Sequence, residues 1–135
     1  MNSTDSQFGS EAVTHDIRIT VQPVFHAGRS DPANDSWFFL YTVTIRNEGE
    51  EVVQLMDRHW IIRDESGHVE EVRGPGVVGE QPVLEPGESF QYTSGCPLST
   101  ATGTMKGTYR FTKSDGTSFH AQIAEFILSE PFTVH

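Results

Sequence analysis

Apolar and polar residues alternate with a period of two along most of the chain, and no long stretch carries the 3.6-residue period of an amphipathic helix. Ile17, Ile19 and Val21 alternate with Arg18, Thr20 and Gln22, which predicts a strand with one buried face. Phe39, Tyr41, Val43 and Ile45 repeat the pattern most strongly, and Asn47-Glu48-Gly49-Glu50 then turns the chain. From about Val52 to Arg63 the alternation breaks. Leu55 and Ile61 lie on one parity, and Met56, Trp60 and Ile62 lie on the other. A bulge near Asp57 and Arg58, or cover on both faces, would reconcile them. Asp64-Glu65-Ser66-Gly67 predicts a hairpin into a short strand from Val69 to Arg73. Later, Met105, Gly107, Tyr109 and Phe111 share one face. In the last strand the parity of Phe119, Ala121 and Ile123 is broken by Phe126 and Leu128, so a second bulge is expected near Ala124.

Turn formers separate these runs. Ala27–Ser36 holds Gly28, Pro32, Asn34 and Asp35, and Gly74–Pro86 is rich in Gly and Pro. Thr93-Ser94-Gly95-Cys96 reads as a turn or cap, and Gly107-Thr108-Tyr109 resembles the tyrosine corner of Greek-key sandwiches. About seven or eight antiparallel strands with short connections predict an all-β sandwich. Residues 12–135 are expected to form its single domain, after a disordered polar leader over Met1–Glu11.

The chain has 135 residues, long enough to bury a core without a disulfide or structural metal. Its 9 basic residues are scattered among 19 acidic ones, for a net charge of -10. Phosphate backbones are bound by clustered Lys and Arg, so the balance argues against nucleic acid or an anionic membrane surface as a partner. It favours a basic protein surface or a cation. The single Cys96 fits a reducing compartment and sits in no reactive-cysteine motif. No apolar run approaches the roughly 20 residues of a membrane helix, and no secretory leader is evident, so a cytoplasmic location is expected.

Three segments carry candidate chemistry. Gly74-Pro75-Gly76-Val77-Val78-Gly79 has the glycine spacing of a dinucleotide fingerprint, but Glu80-Gln81-Pro82 follows where a helix N-terminus would be required. As a phosphate-binding loop it would use Gly74, Gly76, Val77, Val78, Gly79 and Gln81. The competing reading is a connector crossing a sheet edge, with Val77 and Val78 pinned to the core. His59, His68 and Glu70 lie in a carboxylate-rich stretch and are candidate ligands for a divalent cation, although no recognised ligand spacing is present. The competing reading is a set of exposed acids flanking a turn. Arg58-His59-Trp60 is a candidate contact cluster, since Trp and Arg are favoured at interface centres, unless Trp60 is the central core tryptophan. No Gly-x-Ser-x-Gly elbow surrounds Ser94 or Ser99.

Together, the strings FLYTVTIRN from Phe39, VQLMDRHWI from Val53, VRGPGVVGEQP from Val72, LEPG from Leu84, FQYTSG from Phe90 and GTMKGTY from Gly103 resemble the ApaG family from Val13 to Pro131. The sequence departs from the usual pattern at Cys96 and at Ala124, where a proline is common. The resemblance implies a sandwich of the immunoglobulin or fibronectin type III kind. The absence of a catalytic constellation, together with the use of related domains as protein-binding modules, leads to the expectation of a small cytosolic, non-enzymatic module that binds a protein partner, as a monomer or homodimer. The alternatives are phosphate or nucleotide binding, or weak pyrophosphate hydrolysis, at the glycine loop, and a divalent-cation accessory factor. The resemblance also implies a link to cobalt and magnesium tolerance, and a debated pyrophosphate role for Gly74, Gly76 and Gly79.

Overall fold

The structure is a computed structural model in which residues 8–131 are described. Among the described residues there are nine strands and no α-helix: β1 (Ser10–Thr14), β2 (Ile17–Phe25), β3 (Trp37–Asn47), β4 (Val53–Asp64), β5 (Val69–Pro75), β6 (Val83–Leu84), β7 (Ser89–Leu98), β8 (Thr102–Lys113) and β9 (Ser118–Ser129). Two short 3-10 turns occupy the predicted loop between β2 and β3. The first sheet runs β1-β2-β3-β7. The second runs β5-β4-β8-β9, with β6 also paired to β4, and every pairing is antiparallel.

The period-two pattern explains the stacking. Ile17, Ile19, Val21, Phe39, Val43 and Ile45 from one sheet, and Leu55, Tyr109, Phe111, Ala121 and Leu128 from the other, are all buried. The Val, Leu, Ile and Phe side chains among them stabilise the fold by about 1.5–3 kcal/mol each when fully removed from water. Trp60 sits at the centre, with ring centroids 5.4 Å from Tyr41, 5.9 Å from Phe126 and 6.2 Å from Tyr109. All three contacts are edge-on, the arrangement that ring quadrupoles favour.

Both expected bulges are present. Leu55 pairs with Phe111 and Asp57 with Arg110, leaving Met56 as the extra residue, just before the anticipated position. In the last strand, Met105 pairs with Phe126 and Gly107 with Ile123, so Ala124 and Glu125 together oppose Lys106. Each extra residue flips the parity of the strand beyond it, which returns Trp60 and Phe126 to the core.

Several expectations are corrected. The described residues form nine strands where about seven or eight were expected, because β6 is only two residues long and β1 is half-exposed, so neither leaves a clear apolar period. Ser10 and Glu11 belong to β1, so the first sheet begins inside the expected leader, whose residues 1–7 lie outside the described residues. Ser94 is a mid-strand residue of β7, not a turn. The Tyr109 hydroxyl meets the Tyr92 hydroxyl across the core rather than upstream backbone.

One side of the sandwich is closed. Ser10 Oγ donates to the Ala124 carbonyl at 2.7 Å, the Ile127 N–H donates to the Phe8 carbonyl at 3.0 Å, and the Gln122 N–H donates to Thr14 Oγ1 at 3.1 Å. On the opposite side no strand pairing joins β7 to β5 or β6 among the described residues. Near one end of the sandwich, buried Asn47 ties the β3–β4 connection to the end of β6. Its Nδ2 donates to the carbonyls of Glu51 (2.8 Å) and Leu84 (3.0 Å), and its Oδ1 accepts from the Gly49 N–H (3.0 Å). Replacing it strands buried backbone groups, each costing about 1–3 kcal/mol. Asn47→Ala is therefore expected to lower the unfolding free energy by about 2–4 kcal/mol, read from the urea midpoint with an unchanged slope.

Candidate functional site

The glycine segment follows from the bulge. Met56 bulges out of β4, and its carbonyl accepts from the Gly76 N–H and from Gln81 Nε2, both at 2.9 Å. The Leu55 N–H donates to the Pro82 carbonyl at 3.0 Å, and Gln54 Nε2 donates to the Gln81 carbonyl at 3.1 Å. Arg58 Nη1 donates to the carbonyls of Pro75 (2.9 Å) and Gly76 (3.0 Å). The chain from Pro75 to Pro82 is thus stitched along the edge of β4.

Within it, Val77 and Glu80 exchange N–H···O bonds of 2.8 and 2.9 Å around a two-residue turn. Val78 (φ 42°) and Gly79 (φ 80°) both take the left-handed conformation, as a type I′ turn demands. A Cβ on Gly76 would collide with the Glu80 carbonyl, so that glycine is required for the tight return. Val77 is buried in the core. Val78, expected to be pinned beside it, projects outward with 53% of its surface exposed. A β-branched residue in this region is an outlier.

The register of the β4–β5 hairpin distributes the other candidates over two faces. His59 pairs with Arg73 and Trp60 with Val72, while Ile62 pairs with Glu70. His59 therefore lies on the outer face, and its Nε2 meets Glu71 Oε1 at 2.8 Å. That contact, aided by Arg73, holds the Glu71 carboxyl below its usual range. Glu70 lies on the inner face, and His68 is exposed in the turn before β5, so the hairpin does not bring the candidate ligands His59, His68 and Glu70 together. Among the described residues, no three His, Cys, Asp or Glu side chains gather where they could hold a metal ion. The Arg58-His59-Trp60 string is likewise divided: Trp60 is a core residue, His59 faces outward, and Arg58 points toward the open side.

That open side groups residues from four strands. Tyr92 of β7 and Tyr109 of β8 share a hydroxyl–hydroxyl bond, and Tyr41 of β3 lies close by. Arg58 is paired with Tyr109 across β4 and β8, so its guanidinium faces the same layer. Burial pushes the hydroxyls of Tyr92, Tyr109 and Tyr41 above their ordinary value, and Arg58 partly offsets the effect. Burial, with a smaller contribution from Glu70, pushes the Cys96 thiol up to about 12. A neutral, shielded thiol is inert as a nucleophile.

Residues 27–113 match the family model described as the ApaG domain. The chain belongs to the ApaG family. It is 57% identical to a protein ApaG of Dechloromonas aromatica over 124 residues, covering 90% of this chain and 98% of that protein. It is 53% identical to a protein ApaG of Beijerinckia indica, covering 90% and 93%. A crystal structure described as an ApaA protein from Bordetella pertussis superposes with a TM-score of 0.85 at 49% identity, covering 90% of this chain and 98% of that one.

In this ApaG chain, sequence reasoning missed the grouping of Arg58, Glu70, Tyr92 and Cys96. They are far apart in sequence, and only the bulge at Met56 gives Arg58 its inward parity. The raised acids fix a direction for alkaline behaviour. Unfolded Cys and Tyr titrate near about 8.5 and 10, below their folded values, so their contribution to stability is complete below about pH 8.5 and declines as pH rises, for Cys96 until about 12. Urea midpoints are expected to fall steadily from about pH 9 upward. Cys96→Ala should flatten the part of that slope at about pH 9, roughly a unit below the Tyr range.

Proposed function

We propose that this ApaG chain is a non-enzymatic, cytoplasmic protein-binding module whose contact point is the Val77–Glu80 hairpin. The observation that carries the reading is Val78, a β-branched side chain held at φ 42° and half-exposed at the tip of a firmly tied turn. A left-handed residue of this kind costs about 1–2 kcal/mol, and such strain persists where a site needs it. Here it presents an apolar knob on a rigid mount, which lowers the entropy lost on binding. The N–H groups of Gly76, Val77 and Glu80 already donate to carbonyls. That favours a protein contact over a phosphate cradle, which would need those donors. The net charge of -10 suits a partner with a basic surface.

Val78→Asn separates this role from folding, because Asn tolerates the left-handed region. The variant should be about 1 kcal/mol more stable in thermal unfolding. It should also lose about tenfold of its capture of a specific protein from bacterial lysate, the loss expected for removing one buried Val contact. Undiminished capture by the variant, or calorimetric binding of pyrophosphate by the wild type, would reject the reading.

A further inference from the structure

We infer that the open side of the sandwich accepts an extended segment of a partner protein, added antiparallel to β7, with a basic and an acidic side chain four residues apart on its inward face. The inference rests on the protein-binding reading above and names the chemistry of the partner.

The sandwich has four sheet edges, and three are guarded. β1 and β9 cover each other through Ser10, Thr14 and the Phe8 carbonyl. β5 carries Glu70, Glu71 and Arg73 and ends in Pro75, while β6 is two residues long. Charges, proline and short length are the usual devices that keep an edge from pairing. β7 has none of them from Ser89 to Cys96: it is a ten-residue strand without a charged side chain, in a protein of net charge -10, and its only proline is Pro97 near the end. It pairs with β3 alone among the described residues. Phe90–Cys96 thus offers about 23 Å of unpaired backbone.

The side chains beside that edge set the rest. On the outer face, Thr42 and Thr93 bond at 2.8 Å and Gln91 donates to Thr44 at 2.9 Å, an uncharged ladder that Ser or Thr would extend. Facing inward are Phe90, Tyr92, Ser94 and Cys96, and from the opposite sheet Arg58, paired with Tyr109, and Glu70, paired with Ile62, lie on the strand face turned toward them. The Arg58 charge acts on the hydroxyls of Tyr41, Tyr92 and Tyr109, and the Glu70 charge acts on Cys96. Neither Arg58 nor Glu70 has an ion-pair partner among the described residues, and Arg58 meets only the carbonyls of Pro75 and Gly76. Tyr92 and Cys96 are four residues apart, about 13 Å along a strand. An added strand therefore satisfies both charges when an acid lies opposite Tyr92 and a base opposite Cys96. Running antiparallel, the base comes first.

The test uses the full chain and two synthetic nine-residue Val/Thr alternating peptides, one with Lys at position three and Glu at position seven, the other with these exchanged. Binding is followed by amide hydrogen exchange. The Lys-first peptide should bind at least about tenfold more tightly, the scale of one favourable charge contact of 1.4 kcal/mol, and should slow exchange within Phe90–Cys96. Glu70→Lys, on an exposed side chain, should abolish that preference and favour a peptide with Glu at both positions. Equal binding of both peptides, binding of neither, protection confined to β5, or a dimer of the chain sealed through β7 would each overturn the inference. If lysate capture still responds to Val78→Asn while the peptides fail, the protein-binding reading survives and this one falls.

Discussion

One extra residue in β4 organises this molecule. Without Met56 out of line, a strand that buries Leu55 would turn Trp60 to solvent, because side chains alternate with a strict period of two. The bulge restores Trp60 to the centre of the core, and the same shift gives Arg58 an inward direction. It also leaves the Met56 carbonyl outside the β-ladder, where the Gly76 N–H and Gln81 Nε2 find it. Core packing, the placement of a cation and the anchoring of the glycine hairpin thus follow from one irregularity.

That dependence also explains what could be read from the sequence. The two sheets were legible because Ile17 to Val21, Phe39 to Ile45 and Met105 to Phe111 obey the alternation cleanly. Both bulges were legible as breaks in it. β1 and β6 were not, since a half-exposed strand and a two-residue strand leave little apolar period. The glycine segment was recognisable as a connector, but its glycines could not reveal that Val78, rather than Gly76, would sit at the exposed tip. Turn geometry decides that, through the bond pair between Val77 and Glu80.

The candidate site was the least legible part. Adjacent letters suggested that Arg58, His59 and Trp60 act together, yet a strand sends neighbours to opposite faces. His59 joins Glu71 outside, and Trp60 and Arg58 turn inward toward residues of other strands. The association of Arg58 with Tyr92 and of Glu70 with Cys96 depends on sheet stacking, which alternation along one strand does not encode. Membership of the ApaG family, shown by the match over residues 27–113, fixes the fold and the order of its strands but assigns no role to these side chains.

The zipper between β1 and β9 has a practical bearing. Three hydrogen bonds from Phe8, Ser10 and Thr14 are what shield the outer rim of the last strand. A recombinant chain trimmed to begin after Thr14 would keep most of its core yet uncover a twelve-residue β-template carrying half-exposed Ile127. Such a bare template recruits other chains and drives aggregation, so this short first strand acts as a solubility guard for the whole fold.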